Sequence, residues 1–206
     1  MNSISTPAIS RLCALYQLLG QFEQQSCVSS AELGERLGVG AHSIRKDINF
    51  LGIAGNSGAG YDVGKLRTLI AGSLGLDAPR RVCVVGLGRL GTAILQYPLG
   101  DEFQLVAGFD SNINRLETIK TTIELFPAHQ ISQVIRSLNI DIAFITVPAD
   151  HVQDVVERLV DGGIKGIVNF APVCIRTKSK DVFVKQMDIA GELRIISAQI
   201  SVSTAL

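Results

Sequence analysis

Apolar residues recur at helical spacing from Ile9 to Gln24, with Ile9, Leu12, Cys13, Leu15, Tyr16, Leu19 and Phe22 on one stripe. This predicts an amphipathic helix. Ser29-Ser30-Ala31-Glu32 then reads as a capping box, Ser29 as cap with Glu32 three residues on, opening a short helix over Ala31–Leu37. Gly38-Val39-Gly40 makes a turn, and Ala41–Leu51 forms a third helix. Two short helices across a glycine turn are the helix-turn-helix pattern. Gly52, Gly55, Gly58 and Gly60 follow, then Tyr61-Asp62-Val63, which predicts a tight hairpin acting as a wing. A helix over Gly64–Leu76 with Leu66, Leu69 and Ile70 on one face completes this module, and Asp77-Ala78-Pro79 is the seam.

Beyond the seam, strands and helices alternate. The expected strands are Arg81–Val85, Phe103–Phe109, Ile140–Val147, Gly166–Phe170 and Asp181–Lys185. Between and after them lie helices over Leu90–Tyr97, Ile113–Thr121, Ile131–Leu138, Ala149–Asp161 and Ile189–Ile200. Nearly continuous apolar strands belong in a parallel sheet covered on both faces, and right-handed crossovers make it doubly wound. The chain thus reads as α/β: residues 1–78 a winged helix-turn-helix domain, residues 79–206 a Rossmann domain. The final helix is apolar on most sides, which predicts burial against a second subunit.

Composition narrows the function classes. Nineteen basic and nineteen acidic residues give zero formal charge, so the chain is not one that coats nucleic acid through bulk charge. No stretch reaches the roughly 18–20 apolar residues of a membrane span, and the N-terminus shows no basic-then-apolar leader, which points to the cytoplasm. Cys13, Cys27, Cys83 and Cys174 form no C-x-x-C pair, and with only three histidines there is no zinc pattern. Cys13 and Cys83 are expected as buried small hydrophobes in a reduced compartment.

The most informative chemistry is Gly86-Leu87-Gly88-Arg89-Leu90-Gly91, a G-x-G-x-x-G turn between a strand and a helix. Gly86 would permit the tight turn, Gly88 the approach of a diphosphate, and Gly91 close packing of helix on strand. The helix N-terminus would hold the diphosphate charge. Asp110, 19 residues after Gly91, would accept from an adenosine ribose. Ser111-Asn112 follows it with no arginine, so a 2′-phosphate would meet repulsion and NAD(H) is favoured over NADP(H). A nucleotide fold consumes the remaining residues. His129 reads as a cap or surface residue and His151 as solvated, and no acid–base dyad is visible, so no catalytic residue is expected. In the first module His42, Ser43, Arg45, Lys46 and Asn49 cluster on the third helix, where base edges and phosphates would be met. Asp47 would face away or orient Arg45.

These stretches resemble the Rex redox-sensing transcriptional repressors. The resemblance rests on Ile9-Ser10-Arg11-Leu12, Leu37-Gly38-Val39, Ile44-Arg45-Lys46-Asp47, Gly58-Ala59-Gly60-Tyr61-Asp62-Val63 and the glycine turn. It continues through Thr146-Val147-Pro148-Ala149, Gly162-Gly163-Ile164-Lys165-Gly166-Ile167 and Asn169-Phe170-Ala171-Pro172-Val173. It implies a homodimer with a C-terminal helix swapped between subunits, binding an inverted-repeat operator in double-stranded DNA and releasing it when NADH binds. Arg45 and Lys46 correspond to DNA contacts, and Tyr61 of the wing joins that set. Gly86, Gly88, Gly91 and Asp110 correspond to contacts of NADH and NAD+, with Leu87, Arg89 and Leu90 in the same turn. Val147, Pro148, Phe170 and Ala171 fall near the nicotinamide. Tyr97 and Asp188 match an interface switch.

Two departures bear on this. Gln17 stands where some members carry the arginine that pairs with that aspartate, which predicts a weaker or differently built latch. Ser57 replaces a basic wing residue, which predicts weaker operator binding with a flatter salt dependence. The apolar Val147-Pro148 and Phe170-Ala171-Pro172 segments disfavour a cationic ring. NADH is therefore expected to bind at least about tenfold tighter than NAD+, roughly 1.4 kcal/mol. A coenzyme A- or nucleotide-responsive regulator on the same scaffold and a small NAD-dependent oxidoreductase are the alternatives.

Overall fold

The computed structural model describes residues 4–52, 60–177 and 179–204. The chain divides into two compact units, Met1–Ala78 and Pro79–Leu206.

The first unit carries helices α1 (Thr6–Leu19), α2 (Ser30–Leu37), α3 (Ala41–Phe50) and α4 (Val63–Leu74), with short strands β1 (Cys27–Val28) and β2 (Tyr61–Asp62). Its core gathers Leu12, Leu15 and Leu19 of α1 with Leu33, Ile44, Ile48, Leu66 and Ile70. Leu12, Leu15 and Leu19 share one helical face, and Cys13, one position round, is exposed rather than buried as expected. Ser29 caps α2 by accepting from the Glu32 N–H at 3.1 Å. The Glu32 carboxylate accepts from Arg36 at 3.0 Å. Gly38 ends α2 with φ +66°. A Cβ on Gly34 would lie 2.6 Å from the Val39 carbonyl oxygen, so this glycine permits the tight turn into α3.

β2 pairs antiparallel with β1, Val28 opposite Tyr61, a non-local contact made ahead of α2. Gly55, Ser57 and Gly58, the centre of the expected wing, lie outside the described residues.

The second unit is a six-stranded parallel sheet in the order β5-β4-β3-β6-β7-β8. The strands are β3 (Arg80–Val85), β4 (Phe103–Asp110), β5 (Glu124–Pro127), β6 (Ile142–Ile145), β7 (Gly166–Asn169) and β8 (Phe183–Gln186). The connecting helices are α5 (Arg89–Leu95), α6 (Ile113–Thr118), α7 (Ile131–Ser137) and α8 (Val152–Gly162), and α9 (Ile189–Thr204) ends the described chain. Strand alternation sends Cys83 and Val85 to one face, into a cluster with Ile131, Ile135, Val156 and Leu159. Val84 goes to the other face, with Leu87, Ile94 and Leu95. Both faces are covered around β3, the doubly wound arrangement, whereas the edge strand β8 is exposed along its length.

β5 was not legible in the sequence. It is a four-residue edge strand with only Leu125 and Phe126 between Glu124 and Pro127, too short for any periodic signal. α9 has no buried residue: Ile189, Leu193, Ile196 and Ile200 are all exposed. Among the described helices none is long and apolar enough to cross a membrane.

Candidate functional site

The glycine turn joins β3 to α5, and long-range contacts hold its backbone. Gly86 has φ +94°, a conformation that favours glycine, and its N–H donates to the Phe109 carbonyl at 2.8 Å. The Gly86 carbonyl accepts from the Thr146 hydroxyl at 2.6 Å, and the Leu87 N–H donates to Asp110 Oδ2 at 2.7 Å. A Cβ on Gly91 would overlap the Gly86 carbonyl oxygen and stand 2.8 Å from Thr146 Oγ1. A Cβ on Gly88 would meet nothing within 4 Å. The third glycine therefore lets the helix close on the turn, and the second leaves open space in front of it, the form needed for a diphosphate to approach the backbone.

A cavity of about 800 Å³ opens at the carboxyl ends of the strands, bounded by Gly86 and Gly88 on one side and Asp110 on the other. That volume lies within the range of small-molecule and cofactor sites, roughly 300–1,000 Å³. Ile113, Ile131, Val147, Pro148 and Val155 give it apolar walls. Arg115, His129, His151, Asp154 and Arg158 supply its polar groups. Of the residues assigned to the cofactor from sequence, the structure brings Gly86, Gly88, Asp110, Val147 and Pro148 to this cavity. Leu87 and Arg89 border a shallow depression beside Gly88 instead. Leu90 is exposed and Gly91 buried, and neither lines the cavity.

Phe170 and Ala171 are also absent from the cavity wall. The Phe170 ring packs tilted against Phe144, centroids 6.2 Å apart, and Ala171 is buried in the core. Asn169 is fully buried beside them and ties this loop down, donating to the carbonyls of Ala171 (3.2 Å) and Val173 (2.9 Å) and to Gln186 Oε1 (2.7 Å).

Asp110 is only 4% exposed. Burial alone would raise its carboxyl pKa, but hydrogen bonds from the Asn112 N–H, the Arg115 guanidinium and the Leu87 N–H, with the arginine's charge, outweigh it and leave the pKa lowered. Arg115 Nη1 lies 2.9 Å from Asp110 Oδ2. This corrects one premise of the sequence reading. No arginine immediately follows Asp110, but α6 returns one to it five residues later. Thr146, holding the turn from β6, was missed as well. The signals were a basic residue one helical turn beyond the acid and a hydroxyl closing the apolar run of β6. His129, read as a cap or surface residue, and His151, read as solvated, are both exposed, and both border the cavity.

In the first unit α3 presents His42, Arg45, Lys46 and Asn49 to solvent, with Ser43 half-buried. Arg45 Nη1 donates to Ser30 Oγ at 3.1 Å, at the start of α2. Asp47 does not orient Arg45. It is 5% exposed on the inner side of α3 and accepts two hydrogen bonds from Arg11 of α1, at 2.7 and 2.9 Å. Tyr61 is corrected too: its side chain is 9% exposed and belongs to the core, not to a surface open to a duplex. Gln17 in the first unit is exposed, as are Tyr97, at 66%, and Asp188 in the second. Asp188 accepts from the Gly191 N–H at 2.9 Å at the start of α9 and lies 3.6 Å from Arg194. Among the described residues no cluster could hold a metal ion.

Comparison with known proteins agrees with this division of the chain. Residues 3–49 match a family model described as a putative DNA-binding protein N-terminus, and residues 77–173 one described as a CoA binding domain. The redox-sensing transcriptional repressor Rex of Streptococcus pyogenes serotype M5 (strain Manfredo) is 35% identical over 202 residues, 95% of this chain and 94% of the relative. The protein of the same name from serotype M49 (strain NZ131) matches equally. Among solved structures, RSP in complex with beta-NAD+ and operator DNA is 31% identical with a TM-score of 0.88, covering 100% of this chain and 96% of that one. RSP in complex with beta-NADH is 30% identical with a TM-score of 0.84, covering 100% and 98%. Identity at this level across both units, over a sheet that ends in the glycine turn and a helix that exposes Arg45 and Lys46, places the chain in the Rex family of redox-sensing transcriptional repressors.

Proposed function

We propose that this chain is a DNA-binding repressor that senses the NADH/NAD+ balance. The observation that carries the reading is the cavity between the glycine turn and Asp110, present in the same chain as the exposed Arg45 and Lys46 of α3. Gly86 and Gly88 are the groups for the diphosphate, and Leu87, Arg89, Leu90 and Gly91 shape or flank that turn. Asp110 receives the adenosine ribose. Val147 and Pro148 offer an apolar wall to the nicotinamide, with Phe170 and Ala171 shaping the neighbouring loop from behind. The bound dinucleotide supplies a redox-dependent ring charge, and an apolar wall favours the neutral reduced form.

His42, Ser43, Arg45, Lys46 and Asn49 form the face for double-stranded DNA. A second copy of the chain covers the apolar positions of α9 and supplies the second α3 that an inverted-repeat operator requires. Gln17, Tyr97 and Asp188 are the candidate switch residues. The cytoplasm, where DNA and reduced pyridine nucleotides meet, is the compartment this function needs. Relatives matching almost the whole chain are repressors, so the function is regulation rather than catalysis.

Each ligand shifts the equilibrium by no more than its difference in affinity between the operator-bound and released forms. The test is a mobility shift on an inverted-repeat probe at fixed salt, with NADH, NAD+ and coenzyme A added separately. Release by NADH at a concentration at least about tenfold below that needed for NAD+ is expected. Equal release by both, or release by coenzyme A alone, would remove the redox-sensing assignment.

A further inference from the structure

Arg45 of α3 is exposed, yet its guanidinium is already held. Nη1 donates to Ser30 Oγ at 3.1 Å, 15 positions earlier, at the first residue of α2. Ser30 can serve Arg45 because the capping of α2 falls to its neighbour, Ser29, which accepts from the Glu32 N–H. The carboxylates two positions from each partner are taken by other arginines, Glu32 by Arg36 at 3.0 Å and Asp47 by Arg11 at 2.7 Å. A hydroxyl orients a guanidinium without neutralising it, so Arg45 keeps the charge that a carboxylate partner would cancel.

A guanidinium carries five N–H groups, and Ser30 engages one of the two on Nη1. The edge formed by Nε and Nη2 is left. Arg11 shows what that edge can do, since it grips Asp47 by the same two atoms. Turned to a duplex, the edge matches the paired acceptors O6 and N7 of guanine. A side chain that arrives preset loses less rotamer freedom on binding.

We propose that Ser30 is a positioning residue for DNA binding, holding Arg45 so that its Nε–Nη2 edge meets one guanine in each half-site. The inference rests on α3 being the helix that faces DNA.

The test uses the full chain and a duplex that the wild type selects from an inverted-repeat library, with affinity read by fluorescence anisotropy at fixed salt. Ser30→Ala should weaken binding by about tenfold, roughly threefold from each of two half-sites, the share of an arginine's ordering cost that a preset rotamer removes. Its thermal melt and NADH affinity should match the wild type, because the cap at Ser29 is untouched. Ser30→Thr, which keeps a hydroxyl, should recover most of the loss. In an Arg45→Gln background, Ser30→Ala should change affinity by less than about twofold, since the partner it positions is gone. With each symmetry-related pair of guanines changed in turn to adenine, Ser30→Ala should discriminate less than the wild type at one position.

A loss below about threefold for Ser30→Ala overturns the inference, as does discrimination unchanged at every guanine. An equal loss in the Arg45→Gln background overturns it too, because the hydroxyl would then act on DNA directly. Failure to select any duplex, or an Arg45→Gln variant that binds like the wild type, would remove the DNA-facing reading of α3 and this inference with it. Loss of affinity in Arg45→Gln but not in Ser30→Ala would remove the inference alone.

Discussion

The pair between Arg11 and Asp47 joins α1 to the helix that carries Arg45 and Lys46, and it allows a quantitative prediction. Two of the three guanidinium nitrogens reach the carboxylate, Nε at 2.7 Å and Nη2 at 2.9 Å, the forked geometry that binds most strongly. The two ends differ in burial: the Asp47 side chain is 6% exposed and that of Arg11 33%. Removing the arginine therefore strands a buried carboxylate, whereas removing both charges strands nothing. Breaking a fully buried pair from one side costs about 3–5 kcal/mol, and the partial exposure of Arg11 brings the figure for Arg11→Met down to about 2–3 kcal/mol. The double variant Arg11→Met/Asp47→Leu, apolar and of similar volume, should lie within about 1 kcal/mol of the wild type.

A chain of two units need not unfold in one step, so the appropriate assay is native-state hydrogen exchange of the α1 and α3 amides, which reads the opening free energy of this unit. A cost below about 1 kcal/mol for Arg11→Met, or a double variant as unstable as the single one, would refute the argument that the stranded charge is the penalty. Operator affinity should fall with the single variant and return in the double one, since α3 is the element being held.

Two further outcomes follow from the cavity. Gly91→Ala places a methyl group on the Gly86 carbonyl and against Thr146, and should destabilise the second unit by about 1–3 kcal/mol and abolish NADH binding, read by calorimetry and by melting. Asp110 has a lowered carboxyl pKa in the folded chain, so its contribution to stability is complete above the unfolded value of about 3.9 and is lost as pH falls below that. Thermal melts between about pH 6 and 3 should show a shallower acid decline in Asp110→Asn than in the wild type, and parallel curves would exclude Asp110 as a source of that decline.

The sequence by itself determined the two modules, their seam and the order of the helices and longer strands. Those features are local: apolar spacing, a cap at Ser29, glycine at Gly38 and nearly unbroken apolar strands from Val82 to Val85 and Ile142 to Ile145. The glycine turn was legible for the same reason, since its spacing is local: Gly86 has a positive φ and Gly91 lacks room for a side chain, while Gly88 leaves open space. Tertiary structure alone decided which distant polar groups face one another. Arg11 meets Asp47 across 36 positions, and Thr146 reaches Gly86 across 60. It also placed Tyr61 in the core, because β2 pairs with β1 on the far side of two helices. Side-chain chemistry is written in the chain, but its partners are set by packing, and packing brings together residues that no local pattern relates.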